Sequence, residues 1–258
     1  MGDEASARSI EPRAWQAVLE HVERKLLDGE LAPGDRLPGE RQLAADLGVG
    51  RSSVREALRV LEVLGLIRTH AGSGPTAGAI IIATPGGGMS ALMRLQVAAN
   101  GFPVDDIVAT RLLLETHVAG DLAAGARDAA SAPDLAAAER LLDAMDDPGL
   151  DPAEFLALDA AFHLALAEAS GNQVVTATMA GLRSGIEGYA LAGQGRIADW
   201  ATTSARLRAE HRGVLDAIRA ADATAARTRI HDHISGYYAE ISPETDTDAG
   251  APGASDLP

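Results

Sequence analysis

Leu47-Gly-Val-Gly50, running into Arg51-Ser-Ser-Val-Arg55-Glu-Ala-Leu-Arg59-Val-Leu61, is the stretch on which the fold of this 258-residue chain turns. A glycine-containing turn of this length joins two helices in a helix-turn-helix arrangement. The second helix is expected from about Ser53 to Leu64. In it Val54, Leu58, Leu61 and, more loosely, Leu64 share an inward face, Ser53 and Glu56 have capping-box spacing, and Gly65 is the stop. The helix before the turn is expected from about Gly39 to Leu47. An earlier one over Ala14–Leu27 carries Trp15, Val18, Leu19, Val22 and Leu26 at helical spacing and ends at Gly29. Leu31–Pro38 reads as a turn-bearing extended piece. Leu66–His70 and Ala79–Ala83 read as strands around the turn Ala71-Gly-Ser-Gly74.

Opposite the apolar face of the second helix stand Arg55 and Arg59, at i and i+4, with Arg51 entering just before the expected cap. Guanidiniums along one exposed edge suit a helix lying in a major groove, where arginine forks onto guanine or holds phosphates. Arg41 is placed to reach the DNA backbone, and His70 stands where a ribbon tip meets the adjoining minor groove. The plain alternative is a solvated helix face, because residues 13–75 carry nine bases and nine acids and are neutral overall.

Gly34-Asp-Arg-Leu-Pro-Gly-Glu-Arg41, Leu43-Ala, Leu47-Gly-Val, Arg51-Ser-Ser-Val-Arg55-Glu-Ala-Leu and Leu61–Ile67 together resemble the winged helix-turn-helix of the GntR family. The likeness covers about sixty residues and several fixed spacings agree at once. It implies operator contact by Arg41, Arg51 and Arg55 and an approach of the wing glycines around Gly72 to DNA; Ser52, Ser53, Arg59 and His70 complete the expected contact set. Two features depart from the pattern. Gly39 stands where a capping serine is usual, and the wing, Gly72–Ile82, is longer than the usual short return.

Composition sets the limits around this unit. The length allows one large domain or two ordinary ones, and 47% hydrophobic with 23% charged residues describes a folded chain. There is no cysteine, which excludes disulfides, thiolate metal sites and thiol catalysis, and leaves His and carboxylates as metal ligands. No window approaches the roughly 18 uninterrupted apolar residues of a membrane span. MGDEASARSI carries acids and no apolar segment, so no secretory signal is expected and a cytoplasmic protein is. The net charge of −15 lies mostly in residues 76–258, which hold twelve bases against twenty-five acids. That asymmetry points to two segments with separate roles.

Beyond Pro85-Gly-Gly-Gly88, read as a linker, helices are expected at about 89–100, 104–126, 132–146, 152–170, 173–192, 199–220 and 223–241. Asp151-Pro152-Ala-Glu154 supplies an N-cap, an N1 proline and an N3 acid in succession. The expected organisation is a polar tail (1–12), a DNA-binding unit (13–84), a linker and connecting helix (85–104), a helical effector-binding domain with a metal site (105–242) and a disordered acidic tail (243–258). The fold class is mainly α: a winged helix-turn-helix followed by an all-α antiparallel bundle of six or seven helices.

Six ionisable residues sit on or beside the apolar stripes of four of these helices. Asp159 and His163, at i and i+4, edge the stripe of Phe155, Leu158, Phe162, Leu166 and Ala169. His211 falls within the arc of Leu207, Val214, Leu215 and Ile218. His233 flanks Ile230, Ile234, Tyr237 and Ile241, and Arg111 and Glu115 share the face of Ile107, Leu114, Val118 and Leu122. Ionised groups withdrawn from water cost several kcal/mol each unless paired or bound to a metal. One divalent ion held by three imidazoles and a carboxylate satisfies most of them together. That ligand set suits zinc, nickel, copper or manganese and leaves positions open to a carboxylate. The ordinary alternatives are core histidines with hydrogen bonds and a structural Arg111–Glu115 ion pair. Periodicity does not choose between His231 and His233.

Arg111-Leu-Leu-Leu-Glu115, Asp159-Ala-Ala-Phe-His163, Gly171-Asn172, Glu210-His211 and His233 resemble the FCD effector domain of FadR-type GntR regulators, over roughly residues 105–241. The resemblance favours His233. It implies Asp159, His163, His211 and His233 as ligands of a divalent ion, zinc first with nickel or manganese next, and Arg111 with Glu115 as contacts of an organic-acid effector. The expectation is a homodimeric, metabolite-responsive repressor on a palindromic operator. The alternatives are a regulator with a metal-free ligand pocket and a metal-dependent hydrolase. No general base or nucleophile motif supports the hydrolase.

Overall fold

The computed structural model describes residues 13–70, 78–82, 87–99, 101–128 and 132–242. The two expected tails, the turn at 71–74 and Gly72 lie outside them. Among the described residues the chain forms ten helices and one two-stranded sheet. In order these are α1 (Ala14–Leu27), α2 (Glu40–Leu47), α3 (Arg51–Val63), β1 (Ile67–His70), β2 (Gly78–Ile81), α4 (Gly87–Ala98) and α5 (Val104–Gly125). There follow α6 (Ala136–Ala144), α7 (Pro152–Ala169), α8 (Gln173–Gln194), α9 (Trp200–Arg219) and α10 (Ala223–Ile241). They divide into two compact units, one within Met1–Leu95 and Thr176–Gly181, the other within Gln96–Val175 and Leu182–Pro258. No helix among the described residues is long and apolar enough to cross a membrane.

In the first unit α1, α2 and α3 pack on one another around Val18, Val22, Leu43, Val54, Ala57, Leu58 and Leu61. The antiparallel ribbon pairs Ile67 with Ile81 and His70 with Gly78, and Ile67 and Ile81 close the core. The extended piece before α2 runs along β2: Leu37 donates to Ala79 O at 2.9 Å and Ile81 donates to Asp35 O at 2.9 Å. Glu62, near the end of α3, accepts from the backbone N–H (2.9 Å) and hydroxyl (2.6 Å) of Thr69, which ties the ribbon to that helix.

The start of α3 differs from the expected capping box. The helix begins at Arg51, with extended Gly50 as N-cap and no side-chain cap; Ser53 N and Val54 N donate to Gly50 O. Gly48 has already ended α2 in the left-handed region (φ +64), and half-buried Val49 turns the chain so that helical geometry is entered two residues early. Ser53 therefore sits in the first turn, and Arg51 is on the helix instead of ahead of it. Leu64, expected loosely inward, is 43% exposed because it is the C-cap, beyond the last inward-facing turn. Gly39 caps α2 without a side-chain bond, as its lack of a hydroxyl dictates. Gly87 and Gly88, read as linker, open α4, and Gly88 is buried. A Cβ there would stand 2.3 Å from the carbonyl oxygen of Leu64, so only glycine allows this approach.

In the second unit α10 packs on α5 and α9, α5 also touches α9 and α7, and α6 lies on α7. The expected start of α7 forms: Asp151 accepts from Glu154 N at 2.8 Å and Glu154 accepts from Asp151 N at 3.0 Å. Asp199 and Asp222 cap α9 and α10 by accepting from Thr202 N and Ala225 N. Aspartate at an N-cap satisfies an otherwise orphaned N–H, commonly worth about 1 kcal/mol. The expected helix at 132–146 is shorter, starting at Ala136, because Asp134 takes the Ala136 N–H at its threshold. Phe155, Phe162, Leu207, Val214, Ile218, Ile230, Ile234 and Ile241 fill the centre. The six ionisable residues are not at the edge of it. Arg111, Glu115, Asp159, His163, His211 and His233 are all buried within it, because neighbouring helices cover the flanks that a single helical wheel leaves open.

Candidate metal centre and nucleic-acid face

One turn of α7 sets Asp159 and His163 on the same side. His211 enters from α9 and His233 from α10, and one donor atom from each of the four lies within 4.8 Å of the others. Nε2 of His233 is 3.1 Å from Nε2 of His211 and 3.2 Å from Nε2 of His163. Nε2 of His211 is 3.2 Å from Oδ1 of Asp159. His231 points away, exposed and beside Asp232.

The other ring nitrogens decide what these atoms carry. Nδ1 of His163 faces Oε2 of Glu115, and Nδ1 of His233 faces Oε2 of Glu210 at 2.8 Å. A carboxylate partner holds the proton on Nδ1, so both Nε2 atoms present lone pairs to the centre. Burial, then neighbouring His211, pushes His233 down to about 4, and burial also lowers His163. Burial raises the Glu115 carboxyl, but Arg111 and His163 outweigh it and hold it at about 2. At Asp159 burial likewise acts upward and is overcome by the His211 hydrogen bond and the imidazoles, so its pKa lies below the usual carboxylate range.

Near neutral pH, lone pairs and an ionised carboxylate therefore converge on one point inside the protein. A cation there removes the conflict. Metal–nitrogen bonds of roughly 2.0–2.1 Å at tetrahedral to octahedral angles put neighbouring ligand atoms about 2.9–3.4 Å apart; three pairs here lie at 3.1–3.2 Å, while Asp159 stands 3.7 Å from His163 Nε2 and 4.0 Å from His233 Nε2. The residues fit a divalent ion with an N3O ligand set.

Two carboxylate–arginine arms support the centre. On one side Glu115 receives Arg111 Nε at 2.5 Å, and the whole arm is buried. On the other Glu210 accepts from Arg206 at 2.8 Å. Arg206 also reaches Glu240 at 2.5 Å, and Glu240 accepts from the Thr203 hydroxyl at 2.8 Å. This second arm runs to the surface. Sequence reasoning placed Arg111 and Glu115 but gave Glu210 no role. Its signal was a carboxylate next in sequence to an inward histidine, about 100° around the helix and so facing α10.

On the first unit, Arg41, Arg51, Ser52, Arg55, Arg59 and His70 are exposed and Ser53 is half-buried. Arg55, Arg59, His70 and Glu40 border a concave strip between α3 and the ribbon. Glu40, at the start of α2, accepts from Arg55 Nε at 2.8 Å and lies 3.6 Å from Arg51 Nη2, so one carboxylate holds two of the expected reading arginines. The sequence reading passed over Glu40.

A winged reading head and a helical domain with a buried His/Asp cluster together define a DNA-binding regulator with a sensing domain. Residues 15–76 match the family model described as bacterial regulatory proteins, gntR family, and residues 106–236 match the FCD domain. The chain is 32% identical to the HTH-type transcriptional regulator LutR of Bacillus subtilis, over 83% of this chain and 97% of that one. It is 30% identical to the HTH-type transcriptional repressor NanR of Citrobacter rodentium, over 87% and 84%. Among solved structures, Streptococcus agalactiae GntR is similar with a TM-score of 0.53 and 26% identity, covering 89% of this chain and 100% of that one. The chain belongs to the GntR family of transcriptional regulators, in the FadR-like group whose second domain is an FCD domain. Its relatives are regulators, which removes the ground for the hydrolase alternative.

Proposed function

We propose that the chain is a homodimeric repressor that binds a palindromic operator and is released by a small organic acid, sensed beside a divalent ion in the FCD domain. The convergence of three histidine Nε2 atoms and the Asp159 carboxylate on one buried point supports this reading. Asp159, His163, His211 and His233 would hold the ion, zinc first and nickel or manganese next. An ion bound there supplies an electrophilic position for a carboxylate. Arg111, fixed by Glu115, offers the effector a guanidinium. In the first unit Arg51, Arg55 and Arg59 would meet the major groove, Arg41 and the hydroxyls of Ser52 and Ser53 phosphates, and His70 with Gly72 the adjoining groove. Two such heads on a dimer would straddle half-sites about one helical turn apart. A DNA-reading role fits a cytoplasmic protein.

Release needs the effector to favour one dimer arrangement, a coupling commonly of about 1–3 kcal/mol. Repression is favoured by the NanR likeness, although a relative 31% identical over 65% of this chain is named as the Glc operon transcriptional activator. Two measurements test the reading. Elemental analysis of the purified protein should find close to one ion per chain, absent after combined His163→Ala and His211→Ala. A gel shift should lose operator binding in Arg51→Ala or Arg55→Ala without loss of helicity. A metal-free wild type would leave a ligand pocket without an ion, and unchanged operator binding in both arginine variants would refute the reading head.

A further inference from the structure

Few buried side-chain polar atoms among the described residues lack a hydrogen-bond partner, and two of them belong to side chains in contact. Arg111 uses Nε on Glu115, but its Nη2 bonds to nothing. Its guanidinium carbon lies 5.9 Å from the ring centroid of Tyr238, whose phenol oxygen is drawn toward that guanidinium while its O–H donates to nothing. Arg111 is 3% exposed and Tyr238 6%. Buried donors are nearly always satisfied, so a pair of neighbouring orphans marks a place built for a missing acceptor.

The tyrosine is held for this purpose. Its ring stacks on Tyr189 at 5.5 Å and 18° and stands edge-on to Tyr237. The adjacent tyrosine shows the contrast, since the Tyr237 hydroxyl donates to Ala190 O at 3.3 Å. Burial raises the pKa of Tyr238 and outweighs the charge and hydrogen bond of Arg111, so the group stays a phenol with an O–H to donate. The same ring borders a surface groove with Val108, Leu112 and Tyr189.

We infer that Tyr238 is a second fixed donor for the effector, sharing one carboxylate with Arg111, so that the sensing site selects short organic acids by a free carboxylate group. This rests on the effector reading above. A carboxylate brings two anionic oxygens, one for the guanidinium N–H and one for the phenol O–H. A carboxamide brings one oxygen and turns an NH2 toward a donor, leaving both groups opposed. Tyr238 is thus a specificity residue beside the expected arginine.

The test uses zinc-loaded full-length protein titrated calorimetrically with L-lactate, succinate and citrate, and with L-lactamide and succinamide as isosteric controls. At least one acid should bind while its amide does not. Tyr238→Phe should weaken that acid at least tenfold and keep the zinc content. Without ligand it should melt at or above the wild-type temperature, because an unsatisfied donor has been removed. Equal affinity in Tyr238→Phe, an amide that binds as well as its acid, or a lower melting temperature of the unliganded variant overturns the proposal. Silence of the wild type toward every acid removes the effector reading itself, and is distinguished by the absence of any signal to compare.

Discussion

Glu210 allows a quantitative test of the proposed centre, because it touches His233 without offering the centre a ligand atom. Its Oε2 accepts from Nδ1 of His233 at 2.8 Å and thereby fixes the proton away from Nε2. Loss of such a partner typically weakens metal binding about 10- to 100-fold. The Glu210 side chain is 29% exposed and shares its charge with Arg206, so solvent takes over part of its work and the lower end applies. Glu210→Ala should therefore weaken zinc roughly tenfold, about 1.4 kcal/mol. Glu210→Gln, which retains an acceptor oxygen, should lose less. Glu115 does the same for His163 where its side chain is 5% exposed, and it also neutralises Arg111. Glu115→Gln should approach the upper end, roughly a hundredfold. Competition with a chromophoric chelator at constant pH reads all three, with circular dichroism as the folding control. Equal zinc affinity in wild type, Glu210→Ala and Glu115→Gln would refute the assignment of both carboxylates, and with it the orientation of the two imidazoles.

Three further outcomes are expected. Glu40→Gln frees Arg51 and Arg55 and removes a negative charge from the DNA side; binding to random-sequence duplex should strengthen, with a salt dependence steeper by about one released counterion, read by fluorescence anisotropy between low and moderate salt. In metal-free protein His233, at about 4 when folded against the ordinary 6.5, stays neutral where the unfolded chain takes up a proton. Its contribution is intact above pH 6.5 and is lost as the pH falls toward 4, by on the order of 3 kcal/mol; a melting temperature flat over that interval would contradict the burial argument. Gly88→Ala forces a methyl onto the Leu64 carbonyl and should cost about 1–3 kcal/mol in denaturant melts, whereas an unchanged midpoint would mean that the contact yields freely.

What the sequence made legible was local and periodic. Asp151-Pro152-Ala-Glu154 starts α7 because cap, proline and acid act within one turn, and their geometry needs nothing from elsewhere. Asp159 with His163 could be read as a pair for the same reason. The start of α3 misled because Ser53 and Glu56 imitate a capping box, while the left-handed Gly48 upstream had already fixed where the helix begins. His231 and His233 are about 200° apart on α10, and only the packing of α10 against α5 and α9 decides which faces inward. Glu40 and Glu210, quoted within the motifs, were given no role for a common reason. Each is a polar residue on a helix flank, and its role exists only in the partner on a different helix.

The two arms behind the imidazoles differ in one respect that bears on rates. The Glu115 arm is sealed, whereas the Glu210 arm opens to water through Arg206 and Glu240. Were an ion held there, a proton displacing it would reach His233 directly from Glu210, whose side chain is 29% exposed, and His163 or His211 only past Asp159, which is 12% exposed. Ion exchange should thus begin by detachment on the α10 side, leaving a three-point hold behind. Uptake and loss would then be paced by the buffer at the α9–α10 surface, while the sealed side keeps its shape as a template for the returning ion.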